Sequence, residues 1–219
     1  MWVILPGLAL APRDYADLAD RLPGRVVVVD QWAAPLTAEN LPHVLGLSDV
    51  RDGSERLDLI GHSLGGLAAL SWALDGADSL TLLDPTTLGD ASSHLRVPHF
   101  AAPLGAAVRK VAMVAMTGTD PLSGAERRAR YGTPAGLEVI TSQLAQLSQL
   151  QDRVALKLER PLPPTLHICA LPRAGASSYR SAQRAFARQI GSELIEVRGW
   201  NHLFPITHPA EVAGLILSR

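Results

Sequence analysis

The sequence has few of the features that mark disulfide-stapled or nucleic-acid-binding proteins. Its 219 residues include one cysteine, Cys169, so no disulfide can form within the chain. Cys169 lies in the apolar run Leu166–Leu171, where we expect a buried, inert thiol rather than a nucleophile. The 20 lysines and arginines nearly balance the 21 aspartates and glutamates, and no basic run occurs, which argues against a nucleic-acid partner.

Long apolar runs are also missing. Arg109 and Lys110 interrupt the longest candidate, Val97–Met116, so no uncharged stretch reaches the roughly 18 residues that span a bilayer. The apolar segment Met1–Gly7 lacks the basic residues that begin a signal peptide, and we interpret it as containing a strand. The sequence therefore predicts a cytoplasmic protein without membrane association.

What is present is an ordinary globular composition, 47% hydrophobic and 19% charged, in a chain long enough for one domain. Short apolar runs alternate with helical patterns, which predicts βαβ units and a mostly parallel sheet. Strands are predicted at Trp2–Leu5, Arg25–Val29, Leu57–Ile60, Leu80–Leu83, Thr165–Leu171 and Leu194–Val197. Helices are predicted at Pro12–Leu22, Thr37–Val50 (broken), Gly66–Leu74, Ser178–Ile190 and Pro209–Leu217.

The alternation stops between residues 86 and 164, where no strand is indicated. Two helices are predicted there, Ala102–Met116 and Leu137–Leu158, on either side of the polar segment Thr117–Pro134. A proline-rich stretch at 161–164 ends the region. From the residues alone it is either an inserted helical unit or a set of further core helices.

The segment Leu57–Gly66 (LDLIGHSLGG) carries the strongest signal. An apolar strand runs into Gly61-His62-Ser63-Leu64-Gly65 and directly into a helix, the context in which G-x-S-x-G forms a sharp turn around a nucleophile. Glycine is needed at the turn's ends because a Cβ there would collide with the neighbouring strand or helix. Ser63 would stand exposed at the strand's carboxyl end, with the N–H of Leu64 facing any anion that forms there.

A serine nucleophile needs a base, and the chain has seven histidines. His202 is the candidate, because its loop follows the last predicted strand and therefore lies at the same sheet edge as Ser63. We interpret His62 as a packing residue of the turn and His208 as the start of the last helix. No supporting context surrounds the other four, His43, His94, His99 and His167. No pair of histidines shows metal-ligand spacing, and no metal is expected.

These features resemble the α/β-hydrolase superfamily. The resemblance rests on Gly61–Gly66, on Leu5-Pro6-Gly7-Leu8 and on Trp200-Asn201-His202, and the order of elements extends it over nearly the whole chain. The family commonly has its base histidine in a Gly-His-Phe-Pro loop. The similar loop here, Asn201–Pro205, has asparagine in place of the glycine.

The resemblance implies an α/β-hydrolase fold, with about six mostly parallel strands flanked by helices. It also implies a helical cap inserted after the strand that ends at Asp84. The core would comprise residues 1–86 and 164–219, and the cap residues 87–163.

The position at which the family usually has its catalytic acid holds no carboxylate in this chain. That position follows the penultimate strand, where the sequence reads Pro172-Arg173-Ala174-Gly175-Ala176-Ser177-Ser178. A smaller branch of the family takes its acid from the strand after the turn helix, which corresponds to Asp84. The alternatives are a turn role for Asp84, a serine–histidine dyad, or a cap carboxylate such as Asp90 or Asp120.

Two N–H donors would complete an oxyanion hole. One is Leu64. The resemblance implies the second in the loop after the first strand, where most relatives read His-Gly-x and this chain reads Pro6-Gly7-Leu8. The N–H of Leu8 is the assignment, and the alternative is that Pro6-Gly7 is only a turn.

This constellation predicts a serine hydrolase that cleaves an ester or thioester of a small or acyl-chain substrate through an acyl-enzyme on Ser63. His202 would be the base and Asp84 the acid that orients it, and no cofactor is implied. Apolar cap residues that could line the substrate pocket, or equally belong to the core, are Leu104, Val108, Met113, Met116, Leu144 and Leu147.

Other functions remain open from the sequence. An acyltransferase could use the same serine, and a non-catalytic binding or accessory module could keep the fold. The missing acid after Leu171 favours the module, whereas the intact turn and His202 oppose it. Action at a lipid surface is a further option, because the segment Val97–Met116 could present an exposed apolar face.

Overall fold

The computed structural model describes residues 1–47, 56–89, 102–171 and 177–219, and its centre is a sheet of six parallel strands. The strands are β1 (Trp2–Leu5), β2 (Val26–Val28), β3 (Asp58–His62), β4 (Ser79–Leu83), β5 (Thr165–Leu171) and β6 (Glu193–Arg198). Their order across the sheet is β2-β1-β3-β4-β5-β6. The predicted α/β class and six-stranded parallel sheet are confirmed.

Strand β2 differs from its prediction. The apolar run Arg25–Val29 predicts a buried strand, but the observed strand has three residues, all only partly buried. The reason is its place at the edge of the sheet, where β1 is its single neighbour. Val29, which is 1% exposed, is the one fully buried residue of the run.

Helices cover both faces of the sheet. A 3-10 turn, Pro12–Tyr15, leads into α1 (Ala16–Ala19), so the predicted helix Pro12–Leu22 is shorter and less regular than expected. The predicted helix Thr37–Val50 is reduced to α2 (Leu41–Val44), and its residues 48–50 lie outside the described part. The longer helices are α3 (Leu64–Ala73), α4 (Ala102–Thr117), α5 (Gly124–Tyr131), α6 (Pro134–Ala145), α7 (Leu147–Lys157) and α8 (Ser177–Gln189). The chain continues with α9 (Phe204–Thr207) and α10 (Pro209–Leu217).

Two apolar layers hold these helices on the sheet. Successive strand residues point to opposite faces, so Leu59 joins the layer built with α3, α7 and α8, whereas Ile60 joins the layer built with α1 and α10. Leu67 and Leu70 of α3 are fully buried in the first layer. The start of α3, which follows directly from β3, is fixed in position by this packing.

Four helices, α4 to α7, occupy the described residues between β4 and β5. The predicted helix Leu137–Leu158 is two helices that meet at Gln146, and the segment Thr117–Pro134 contains α5. A capping box starts α5, because the Ser123 side chain accepts the N–H of Glu126 and the Glu126 carboxylate accepts the N–H of Ser123.

Helix α7 packs against α3, and its Leu147, Leu150 and Val154 belong to the same core layer. It therefore contributes to the packing of the sheet as α3 does. The division of the chain into a core of residues 1–86 and 164–219 and a cap of residues 87–163 stays a prediction.

Candidate active site

Four of the sequence-predicted site residues lie at, or in the loops after, the carboxyl ends of parallel strands. Leu8 follows β1, Ser63 follows β3, Asp84 follows β4, and His202 lies in the loop after β6. The carboxyl ends of parallel strands meet at one edge of a sheet, which is where α/β folds bind their ligands. The topology therefore brings the four positions to one edge.

Ser63 occupies a strained turn between β3 and α3. Its φ of 53° and ψ of −123° lie in a region that residues other than glycine rarely adopt. Its carbonyl oxygen accepts the N–H groups of Gly66 and Thr86, both at 2.9 Å, so the turn is held from two sides. The side chain is partly exposed at the sheet edge.

The two glycines predicted to permit this turn do so by allowing close contact. A Cβ at Gly61 would overlap the carbonyl oxygen of Gly65 and lie 2.7 Å from the Cβ of Ala69. A Cβ at Gly65 would overlap the carbonyl oxygens of Leu5 and Pro6. The first turn of α3 therefore lies directly against the end of β1.

Asp84 and His202 are joined by a hydrogen bond of 2.9 Å between Oδ2 and Nδ1. The Asp84 side chain is 2% exposed and that of His202 is 46% exposed. The other carboxylate oxygen accepts the N–H of Ala170 at 3.0 Å, so both oxygens of Asp84 are bonded. A carboxylate only accepts, so Nδ1 of His202 carries a proton and Nε2 is left as the basic atom.

Ser63 lies at the same sheet edge but is not hydrogen-bonded to His202. Its hydroxyl makes no hydrogen bond to any residue that the structure describes, His202 included. Catalytic hydrogen bonds of this kind often tighten only in the substrate complex. The rings of His62 and His202, with centroids 4.7 Å apart, bring His202 beside the residue that precedes Ser63.

The other predicted acids do not contact His202 in the described residues. Asp120 pairs with Arg127 at 3.0 Å and lies 3.7 Å from Arg109. Asp90 and the segment 172–176 lie outside the described part. Asp84 is therefore the one predicted acid that the structure brings to the histidine within the described ranges.

Two buried side chains hold the loop after β1. The Tyr15 hydroxyl accepts the N–H of Gly7 at 2.8 Å. The Gln31 side chain donates from Nε2 to the carbonyl oxygens of Gly7 (3.0 Å) and Leu10 (2.7 Å). Its Oε1 accepts the N–H of Ala9 at 3.2 Å. The loop backbone is therefore bonded on both sides.

These bonds leave the N–H of Leu8 available. Gly7 and Ala9 donate to side chains, and Leu10 donates to the carbonyl oxygen of Gly7 at 3.0 Å, but Leu8 makes no such bond among the described residues. Leu64, the first residue of α3, has no N–H partner there either. Two unbonded N–H groups at this edge are what an oxyanion hole requires, and their role as one stays a prediction.

His62 is more than the packing residue that the sequence suggests. It is fully buried, with Nδ1 2.6 Å from the Tyr15 hydroxyl and Nε2 2.8 Å from the carbonyl oxygen of His202. Burial, with a smaller contribution from the neighbouring His202, lowers the pKa of His62 to about 3. The imidazole is therefore neutral at physiological pH.

The sequence patterns do not point to Tyr15 or Gln31 as site residues. Tyr15 has the helical spacing of a core residue, and it is fully buried. Gln31 lies just after β2, so chain order could have indicated its place at the carboxyl edge. Nothing in the local pattern shows that its amide reaches the backbone of another loop.

Helices α4 and α5 contact the same region through buried polar groups. Nη2 of Arg109 lies 2.6 and 2.8 Å from the carboxylate oxygens of Asp14, with the side chains 7% and 0% exposed. The Arg109 guanidinium also lies over the ring of Tyr131, 5.3 Å from its centroid. The Tyr131 hydroxyl donates to the carbonyl oxygen of Ala9 at 2.8 Å.

Three of the apolar residues that could line a pocket or belong to the core are exposed on α4. Leu104 and Val108 are 65% and 64% exposed, and Met116 is 47% exposed. Met113 and Leu147 are buried in the two core layers instead. Helix α4 does present an exposed apolar face, but no helix in the described residues has the length and apolar character needed to cross a bilayer.

Cys169 is buried and free, as predicted, and burial raises the pKa of its thiol. The described residues contain no group of three or more histidine, cysteine, aspartate or glutamate side chains arranged to hold a metal ion.

Comparisons with known proteins agree with this architecture. The model of the alpha/beta hydrolase family matches residues 2–215. Lipase LipV of Mycobacterium tuberculosis (strain ATCC 25618 / H37Rv) is 29% identical over 218 residues, covering 86% of this chain and 77% of the lipase.

Two solved structures with low sequence identity share the fold. An alpha/beta hydrolase fold protein from Burkholderia ambifaria, 20% identical, superposes with a TM-score of 0.71 over 100% of this chain and 90% of that one. A thermophilic esterase from Thermogutta terrifontis, also 20% identical, gives a TM-score of 0.66 over 99% and 88%.

Proposed function

The chain belongs to the alpha/beta hydrolase family, and from that premise we propose that it is a serine hydrolase that cleaves an ester or thioester through an acyl-enzyme on Ser63. The observation that carries the proposal is that Ser63 holds a positive φ at the turn between β3 and α3. That turn presents the hydroxyl at the sheet edge to which Asp84 and His202 also belong. The similar lipase and the esterase of the same fold support an ester as substrate.

The proposed reaction has two halves. Ser63 Oγ attacks the carbonyl carbon while His202 Nε2 takes the hydroxyl proton, and the alcohol or thiol leaves with that proton. Water then attacks the acyl-enzyme, His202 takes a proton from it, and the carboxylic acid is released as Ser63 regains its hydroxyl. Asp84 keeps His202 in the tautomer that leaves Nε2 basic. The N–H groups of Leu8 and Leu64 stabilise the oxyanion of both tetrahedral intermediates.

We also propose that helices in residues 87–163 form a cap over this edge. Contacts of the described helices support it, since Trp32 Nε1 donates to the carbonyl oxygen of Gly136 at 3.1 Å. Asn201, next to His202, donates to the carbonyl oxygen of Met116 at 3.4 Å. A small-molecule ester or thioester would bind between the cap and the turn.

The test is p-nitrophenyl ester hydrolysis across acyl lengths, together with fluorophosphonate labelling. We expect Ser63→Ala to lose labelling and to lower kcat by about 10³-fold or more. Ser71→Ala, on the same helix, is the matched control and should retain both. Hydrolysis that survives in Ser63→Ala would overturn the proposal. If an added alcohol is converted to a new ester and no free acid is released, the protein is an acyltransferase.

The acid is tested by a second pair of variants. Asp84→Asn should lower kcat by about 10³-fold or more, because the amide favours the wrong tautomer of His202. Asp120→Asn removes a buried carboxylate that pairs with Arg127 instead, and should leave kcat nearly unchanged. The reverse result would assign the acid to the cap.

A further inference from the structure

A continuous series of hydrogen bonds joins the loop after β1 to the backbone of His202. The carbonyl oxygen of His202 only accepts, so Nε2 of His62, 2.8 Å away, carries the ring proton and donates it. A neutral imidazole has one ring proton, so Nδ1 of His62 accepts from the Tyr15 hydroxyl at 2.6 Å. The Tyr15 oxygen in turn accepts the N–H of Gly7 at 2.8 Å.

The two side chains at the centre of this series are closed to water. Tyr15 and His62 are both 0% exposed, so solvent cannot replace a lost partner. Gly7 packs on the imidazole, since a Cβ at Gly7 would lie 3.0 Å from Nδ1 of His62. Bonds in such an environment are strong and directional, so each fixes the position of the next group.

The two ends of the series adjoin two groups of the proposed chemistry, the oxyanion donor and the base. Gly7 precedes Leu8, whose N–H is the unbonded donor of its loop. At the other end His202 is held twice, by its carbonyl oxygen to His62 and by Nδ1 to Asp84. His62 also precedes Ser63 in the chain, so it touches the base and adjoins the nucleophile.

We propose that Tyr15 and His62 are positioning residues, which together set the oxyanion donor Leu8 and the base His202 at fixed positions around Ser63 without contacting the substrate. The inference rests on the proposed serine hydrolase function and deepens it. In this role His62 needs both ring nitrogens as hydrogen-bonding groups. An apolar ring of the same size could fill the space but could not make these bonds.

Removing either side chain should affect the transition state more than substrate binding. Tyr15→Phe leaves the N–H of Gly7 and Nδ1 of His62 unpaired, and His62→Phe leaves the His202 carbonyl unpaired. Displacement of a donor or base by a fraction of an ångström to 1 Å lowers kcat by about 10- to 100-fold. KM should stay within about twofold, because neither side chain contacts the substrate.

The experiment measures p-nitrophenyl ester hydrolysis per active site, with sites counted by stoichiometric fluorophosphonate labelling of Ser63. A purely structural role would reduce the number of labelled sites and leave kcat per site unchanged. We expect kcat per site to fall by about 10- to 100-fold in each variant. The double variant should fall no further than the more affected single one, because both break the same series.

Two further variants sharpen the result. His167→Phe is the matched control, because His167 is also 0% exposed and bonds through Nε2 to Gln183 at 2.8 Å. It should lower stability but not kcat per site. His62→Gln keeps an N–H donor near the His202 carbonyl and should recover part of the activity lost in His62→Phe.

The outcomes separate the inference from the function. Wild-type protein that is neither labelled nor active would overturn the serine hydrolase and the inference with it. Active wild type with unchanged kcat per site in Tyr15→Phe and His62→Phe would overturn the inference alone. Nitrogen-15 NMR gives an independent readout, since protonation of His62 at Nδ1 rather than Nε2 would also overturn it.

Discussion

Backbone strain in the described part of the chain collects at three residues other than glycine. Ala9, Ser63 and Asp84 have φ values of 60°, 53° and 47°. Each follows a different parallel strand, β1, β3 or β4, at the edge of the candidate active site. Such conformations cost about 1–3 kcal/mol each and persist only where neighbouring contacts enforce them. For Ala9 those contacts include the side chains of Gln31 and Tyr131.

The strain at Ser63 can be measured with two inactive variants. Ser63→Gly and Ser63→Ala both lack the hydroxyl, but glycine adopts a positive φ without the Cβ clash that alanine retains. We expect the glycine variant to have the higher free energy of unfolding, by about 1 kcal/mol. Urea unfolding of the two proteins measures the difference.

The same pair of substitutions at Ser71 is the control. Ser71 lies within α3, where glycine is about 1 kcal/mol less favourable than alanine. The order of stability at Ser71 should therefore be the reverse of that at Ser63. If alanine were the more stable substitution at both positions, the turn at Ser63 would not be strained.

Among the elements, the contact between α3 and β1 tolerates no added atom. The Cβ in Gly65→Ala would overlap two backbone carbonyl oxygens, and backbone cannot move aside as a flexible side chain can. We expect this variant to lose more than about 4 kcal/mol of folding free energy and to accumulate little folded protein. Circular dichroism and urea unfolding of the purified variant would measure the loss.

Gly214→Ala is the matched substitution. Gly214 lies inside α10, and a Cβ there meets no atom within 4 Å. Alanine should stabilise this exposed helical position by about 1 kcal/mol. Equal and small effects at Gly65 and Gly214 would contradict the close approach of α3 to β1.

The elements that the sequence predicts well are those whose start is marked by proline. β5 is predicted at its observed bounds, Thr165–Leu171, because prolines precede its apolar run. α10 is predicted as Pro209–Leu217, as observed, because proline suits the first turn of a helix. The break at Gln146 has no such signal, since the chain forms one helix and restarts at once so that Leu147 can pack in the core.

For the whole molecule, two buried neutral histidines make stability depend on pH. Burial lowers the pKa of His62 to about 3 and that of His167 to about 4, from 6.5 in the unfolded chain. Between these values the unfolded chain binds protons that the native protein does not. Stability is therefore full above pH 6.5 and falls as pH decreases toward the folded pKa values. The slope approaches about 1.4 kcal/mol per pH unit for each histidine.

Urea unfolding at several pH values between 5.0 and 6.5 tests this expectation. His167→Phe removes one of the two groups and should reduce the slope by up to about 1.4 kcal/mol per pH unit. The window lies above the ordinary range of carboxylate pKa values, and the comparison with His167→Phe isolates the contribution of one histidine. A slope identical to that of the native protein would mean that His167 is charged in the folded state.

At the same scale, topology explains which site residues are predictable. Chain order places His202 at the carboxyl edge of the sheet, and the family resemblance indicates Asp84 as one of its possible partners. The structure brings these two side chains into contact. Their catalytic roles stay predictions. Tyr15 and Gln31 act through hydrogen bonds to backbone groups of other loops, and such bonds leave no periodic pattern in the sequence.

The order of the sheet also has a consequence for how the protein is made on the ribosome. One neighbour of β4, the strand β3, precedes it in the chain, but its other neighbour, β5, follows only after the helices that come between them. Asp84 and His202 are 118 residues apart, which corresponds to about 6 to 24 seconds of translation. Until β5 follows, the nascent chain carries an unpaired central strand edge, and until His202 follows, it carries a carboxylate without its histidine. Slow translation between β4 and β5 would prolong exposure of that edge, and Ser63 would gain its base only after β6 has emerged.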